Sequence, residues 1–244
     1  KMKKLLLLSA LLICSCSSDD SVEENNNTSF ILPSVIKTTN TLSETNEFSY
    51  KLNYVGNTNK ISEVRDNLTG EILSIFVYNE FNLISQVIDA EDNSSIYYQY
   101  DSQDRIISRV AENNNNGEDA ITNIEYNNDG TAIMMFDNDP DTIEILTFDA
   151  NNNIVEVNDI FEGTSELYTY DTKNYPYKNI AGFNNAFLST GALPFGVKNN
   201  AISRNDGLQQ DSAFYVYNEQ DYPTIITSER WNDYQRLVEI TYLD

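Results

Sequence analysis

Apolar and polar positions alternate along most of the chain, in short runs that stop at clusters of Asn, Asp and Ser. Ile96, Tyr98 and Tyr100 fall on one side of such a run, Asp101-Ser102-Gln103-Asp104 supplies turn chemistry, and Arg105-Ile106-Ile107-Ser108-Arg109-Val110 leads back. A period of two with Asx-rich stops is the pattern of antiparallel hairpins. No helical period of useful length is present, so the expected fold class is all-β.

The hairpins repeat. An apolar residue, a variable one, an aromatic and then Asn or Asp recur as Phe76-Val77-Tyr78-Asn79, Tyr98-Gln99-Tyr100-Asp101, Ile124-Glu125-Tyr126-Asn127, Leu146-Thr147-Phe148-Asp149, Tyr168-Thr169-Tyr170-Asp171 and Tyr215-Val216-Tyr217-Asn218. Leu52-Asn53-Tyr54 and Ile240-Thr241-Tyr242 are copies without the polar fourth residue. The aromatic positions are 24, 22, 26, 22, 22, 47 and 25 apart, and the long gap suggests one replaced or diverged unit. Asparagine tolerates left-handed backbone, so nine glycines suffice for many turns.

A period near 22 leaves roughly seven residues per strand, short of the 9 to 11 of a membrane-spanning strand. About eight hairpins give about 14 to 16 strands, and a round closed barrel of that size has a lumen its own side chains cannot fill. One large curled sheet or barrel-like shell is therefore expected, and it must be flattened, open or plugged. The pattern fails over residues 178–212, where Ile180, Gly182, Phe183, Phe187, Gly191, Pro194, Phe195 and Gly196 make an apolar, irregular insertion. It reads as a plug near 180–200 packed on the concave side, with a short helix over Phe183 to Ser189 ended by Gly191; the alternative is a ligand-gating loop.

Ahead of the repeats lies a leader. Lys1 to Lys4 are followed by an apolar run to Ile13, too short to cross a bilayer, and then by Cys14-Ser15-Cys16. Leu12-Ile13-Cys14-Ser15-Cys16 resembles a bacterial lipobox, which implies a signal peptide over 1–15 and diacylation of Cys16. Ser17-Ser18-Asp19-Asp20 resembles the acidic export signal of Bacteroidetes surface lipoproteins. Residues 16–30 read as a flexible acidic tether and 31–244 as one β-repeat domain. The expected location is the outer membrane, with a lipid anchor and surface exposure.

The repeat itself carries a resemblance. Aromatic-x-Tyr-Asp followed by a turn and Ile, as in Tyr98-Gln99-Tyr100-Asp101 with Ile106, resembles the YD repeat of Rhs and teneurin-type shell proteins. It is closer to uncharacterised Bacteroidetes lipoproteins with degenerate YD-like units, of unknown function, whose members are thought to curl into porin-like or barrel-like antiparallel sheets. The resemblance covers about residues 48 to 242 and bears on architecture.

Composition narrows the function. With 38 Asp plus Glu against 15 Lys plus Arg, the formal charge is -23, which argues against a nucleic-acid partner. Histidine is absent and both cysteines sit in the leader, so His-based nucleophile, base and metal chemistry is excluded and no cofactor is expected. Asp137, Asp139 and Asp141 are spaced like the start of a calcium loop, but Thr142 and Phe148 stand where Gly and Glu are wanted, so a polar turn is the reading. Asp20-Ser21-Val22, Asp141-Thr142-Ile143 and Asp211-Ser212-Ala213 resemble a Bacteroidetes O-glycosylation signal, at Ser21, Thr142 and Ser212. Of sixteen tyrosines most occupy the repeat position, while Tyr175, Tyr177, Tyr222 and Trp231 lie off it and are the candidate contact residues. The leading expectation is a non-catalytic, lipid-anchored surface protein, an interaction or structural module meeting a polysaccharide or another surface protein. Glycan capture and a two-carboxylate glycoside hydrolase are the alternatives.

Overall fold

The computed structural model describes residues 30–41, 45–112, 119–137, 139–185, 198–230 and 234–243. The first eight strands are β1 (Pro33–Thr41), β2 (Thr45–Tyr54), β3 (Ile61–Asp66), β4 (Ile72–Tyr78), β5 (Ile84–Asp89), β6 (Ser95–Tyr100), β7 (Ile106–Ala111) and β8 (Ala120–Tyr126). The rest are β9 (Thr131–Phe136), β10 (Asp139–Phe148), β11 (Ile154–Asp159), β12 (Thr164–Tyr170), β13 (Ala201–Asn205), β14 (Gln210–Tyr217), β15 (Pro223–Arg230) and β16 (Tyr234–Tyr242). Each pairs antiparallel with its neighbours in sequence, and β1 pairs with β16, so the sheet is a closed barrel. No helix occurs among the described residues.

Every even-numbered strand ends on a motif aromatic, and four of the turns that follow are built the same way. Asn79 Oδ1 accepts from the amides of Phe81 and Leu83, Asp101 Oδ1 from Gln103 and Arg105, Asp149 Oδ1 from Asn151 and Asn153, and Asn218 Oδ1 from Gln220 and Tyr222. This Asx geometry explains the polar fourth residue of the motif. The residue three further on takes the left-handed conformation at Asn82, Asp104, Gly130, Asn152 and Asp221. The chain has thus spent one glycine where five turns need that conformation.

A β-bulge follows each turn in seven of the eight pairs, just before the aromatic, as at Val77/Tyr78 and Gln99/Tyr100. The residues opposite the aromatics (Pro33, Ile61, Ile84, Ile106, Ala132, Ile154, Ala201 and Pro223) are all buried. The bulge takes a carbonyl out of the ladder, and a buried unpaired carbonyl costs about 1–3 kcal/mol. At four of the bulges the next unit's tyrosine supplies the donor: Tyr100 to Ile84 O at 2.6 Å, Tyr170 to Ile154 O at 2.6 Å, Tyr54 to Pro33 O at 2.7 Å and Tyr242 to Pro223 O at 2.7 Å; at Ile61 the Tyr78 hydroxyl instead accepts from the Ile61 amide at 3.0 Å. The closing pair copies the hairpins: Leu243 N donates to Leu32 O as Asn79 N does to Leu83 O, and Tyr242 faces Pro33 across the same bulge. β1 is therefore the return strand of β16, joined by packing instead of by a turn.

The 47-residue gap has a different cause from a replaced unit. Asp171 N donates to Asn200 O and Asp171 Oδ1 accepts from Asn200 N, the bonds that an ordinary turn makes between residues four apart. They are 29 apart here, so 25 residues are inserted into one turn and all eight units are present. The sheet resumes at Ala201, so 201–205 and 210–212 are regular strand and not part of the irregular segment. Residues 181–185 are turns where a helix was expected from Phe183, and 186–189 lie outside the described residues.

The described part of the insertion, residues 172–185, packs across the end of the barrel where the turns after the motif aromatics lie. Ile180 joins Leu32, Ile36, Leu52, Ile61 and Ile240 in one buried cluster, and Phe183 bridges it to the other, formed by Ile84, Tyr98, Ile106, Ile124, Ala132, Leu146 and Ile154. Polar bonds tie it to the turns around the rim: Ala181 N to Asn59 O, Asn185 Nδ2 to Asp104 O, and Asn174 N to Asp221 O. The closed, plugged barrel is thus the outcome among the three expected shapes. At Gly182 (φ +68°) an added Cβ would stand 2.7 Å from Ile84 N and 2.9 Å from Leu83 Cα, both backbone. Gly182→Ala is expected to cost about 3 kcal/mol, because left-handed strain of about 1–2 kcal/mol adds to forced repacking. Gly130→Ala, where nothing lies within 4 Å, should cost only the strain. Urea unfolding of both variants checks this, and equal losses would refute the packing role of Gly182.

Candidate functional site

Two layers of the interior follow from strand parity. Toward the turn end the inward positions are the motif aromatics and the apolar residues two before them. Four before the aromatic, the same parity points inward again, and on one stretch of wall these positions are charged: Glu144 on β10 and Glu166 on β12. Asp159 faces Glu144 across β10 and β11, and Arg204 faces Tyr168 and Asp211 on the two sides of β13.

Glu166 is fully engaged. Oε1 accepts from Arg204 Nη2 and Oε2 from the Tyr168 hydroxyl, while Arg204 Nη1 reaches Asp211 Oδ2 at 3.3 Å. Burial raises the Glu166 carboxyl, but Arg204 and Tyr168 outweigh it and hold the group below its ordinary value. Glu144 goes the other way: burial first, then the charges of Asp159 and Glu166, push it up. Carboxyls driven apart are what acid–base catalysis uses. Here both oxygens of the lowered member are already bonded within the wall, which is the arrangement of a structural ion pair.

The candidate contact tyrosines turn out to be part of the plug and its seat. Tyr175 and Tyr222 are buried and Tyr177 is half-buried. The Tyr177 ring lies tilted against Phe183 with centroids 4.7 Å apart and edge-on to Tyr175 at 5.4 Å, and the Tyr222 hydroxyl accepts from Asn179 Nδ2 at 2.9 Å. These three candidate contact residues fill the space between the insertion and the wall. Trp231, Cys16, Ser17, Ser18, Asp19, Asp20 and Ser21 lie outside the described residues.

Asp137 is exposed and accepts from Asn123 Nδ2, Asp141 is exposed, and the Asp139 side chain lies outside the described residues. No group of three metal-ligating side chains occurs among the described residues. Thr142 is half-buried in the bulged start of β10, and Ser212 is half-buried on the outer face of β14, opposite Ser203 and Glu229. The Glu144, Glu166 and Arg204 wall was missed from sequence, although the repeat alignment already placed both glutamates at an inward position.

No family model matches the chain, and no curated relative does. Among solved structures, it is similar to a porin-like protein from Bacteroides uniformis, with a TM-score of 0.56 at 10% identity, over 86% of this chain and 98% of that one. The Tc holotoxin pore of Photorhabdus luminescens matches over 83% of this chain and 14% of that one, with 10% identity and a TM-score of 0.20, which carries no argument. The first likeness shows the fold alone: a barrel of this kind. In the barrel described here the buried apolar clusters lie inside, and the outer wall mixes apolar residues such as Ile75, Val77, Tyr97, Phe214 and Val216 with Gln86, Gln99 and Glu125. A spanning barrel has the reverse arrangement, an unbroken apolar belt outside.

Two pH limbs follow. Burial pushes Tyr78 and Tyr126 up to about 12, and raises Tyr54, Tyr100, Tyr170 and Tyr242 as well. A raised tyrosine stabilises the fold below its ordinary value of about 10 and loses that contribution as pH rises toward the folded value. The phenolate absorbance of these six, read as the difference left by a Tyr→Phe change at each, should therefore appear only together with loss of the β circular dichroism signal; ionisation of these tyrosines in a still-folded barrel would contradict their burial.

On the acid side, Glu144 disfavours the fold when charged and is relieved on protonation as the pH falls from neutral. Glu166 and the turn acids Asp66 and Asp206, all lowered, stabilise above about pH 4 and fail below it. Glu144→Gln should raise the urea midpoint near about pH 7 and leave it unchanged near about pH 4. A lower midpoint at neutral pH would show that the charged form is needed.

Proposed function

We propose that the chain is a non-catalytic, lipid-anchored outer-membrane protein facing the cell exterior, with the barrel as an interaction or structural module. The observation that carries this reading is how the interior is occupied: two apolar clusters, the aromatic layer and the insertion use it, and the ionised wall beyond them is bonded to itself. A conduit or a substrate cleft needs that space. The function left to such a body is exerted by its outside.

The leader supplies the rest. Ile31 O accepts from Asn179 Nδ2 at 3.0 Å, so the described chain enters at the plugged end. A tether from Cys16 would then hold that end toward the membrane and turn the opposite rim outward. Acyl chains contribute roughly 0.8 kcal/mol per buried CH₂, enough to hold a barrel that does not span.

Radiolabelled palmitate should enter the protein in the producing cells, be lost on Cys16→Ser and persist on Cys14→Ser, and protease added to intact cells should remove the barrel. Label that survives Cys16→Ser, or discrete ion conductance in planar bilayers, would overturn the proposal.

A further inference from the structure

At the rim away from the insertion, three hairpin tips share one side-chain bonding pattern and one anomaly. Asp66 Oδ1 accepts from Leu68 N and Thr69 N at 2.8 and 2.7 Å, and Asp159 Oδ1 from Phe161 N and Glu162 N at 2.8 and 2.9 Å. Asp206 Oδ1 accepts from Leu208 N and Gln209 N at 2.9 and 2.7 Å. Each acid fixes the residue two after it at the apex, and that residue is a large apolar one: Leu68 is 80% exposed, Phe161 69% and Leu208 92%. In the β5–β6 tip Asp89 makes the same bond and the apex is Glu91, the polar choice that turns ordinarily make. A lone exposed leucine needs no explanation. The same apex filled three times on one rim, next to the acids that hold it, does.

We infer that this rim docks a second protein, one that offers apolar pockets among Lys and Arg side chains. The inference rests on the interaction-module reading and names the partner's chemistry. Charge selects the occupant. A second copy carries the same -23 and the same acidic tips, and an anionic bilayer is repelled likewise, whereas a basic surface complements the acids while its pockets take the apices. The Asx bonds hold the apices in place beforehand, which lowers the ordering cost of docking.

The test puts a photo-crosslinking residue at Leu68, Phe161 or Leu208, one at a time, in the full lipidated chain in its own cells. Phe81 is the control: it is 69% exposed at the apex of the Asn79 turn, on the opposite rim. One and the same protein product from the three rim positions and none from position 81 is expected. That product, purified, should bind the wild-type chain with an affinity that falls at least about tenfold on Phe161→Asn with Leu208→Asn, and falls with added salt. No product, an equal product from position 81, a self-adduct or lipid adduct, or an affinity indifferent to the substitutions or to salt would overturn the inference. Palmitate labelling of Cys16 is read separately, so a failure of docking leaves the anchoring untouched.

Discussion

The barrel depends on satisfying the carbonyl that each bulge removes from the ladder. Tyr54, Tyr100, Tyr170 and Tyr242 do so from the neighbouring unit, each reaching back to the residue that faces the previous aromatic. The bond joins unit to unit on the inside, where water would otherwise be required. It also explains why the repeat position is so often tyrosine instead of phenylalanine: the ring fills the interior and the hydroxyl pairs a backbone group. Where the pattern shifts, the function is kept by a neighbour, since Tyr215 reaches Ala201 O and Tyr217 turns to Asp171.

Sixteen strands enclose more space than strand side chains can fill, and the insertion after Asp171 answers that constraint. Its 25 extra residues enter through one turn without disturbing the bonds that close the turn, so the sheet keeps its register on both sides. At Gly182 the insertion runs so close to the wall that only a residue without Cβ lets its backbone lie against Leu83 and Ile84. The cost of a wide barrel is thereby met locally, by one loop and one glycine, while the eight units stay alike.

Charge is sorted by the same geometry. Acids cap the turns at both rims, where their side chains bond amides, and a short ionised wall lines one part of the interior. The middle of the barrel is left to Ile, Leu, Tyr and Phe. A protein of net charge -23 can hold such a core because, among the described residues, Asp211 is the one acid in the buried class, and Arg204 reaches it.

Local regularities were legible in the chain itself. The period of 22, the polar residue after most of the aromatics and the Asn and Asp at the turns determined antiparallel hairpins, their approximate number and which positions share a face, because parity and turn chemistry act over a few residues. The candidate site was less legible: parity already turned Glu144 and Glu166 inward, but their partner Arg204 lies 38 positions from Glu166 and meets it only when β12 and β13 pair. What only the tertiary structure decided was closure, the meaning of the 47-residue gap and the place of Tyr175, Tyr177 and Tyr222. Each depends on contacts between residues far apart in sequence, such as Leu243 with Leu32 and Asn59 with Ala181, and no periodicity encodes which distant segment will occupy a space that exists only once the ring has shut.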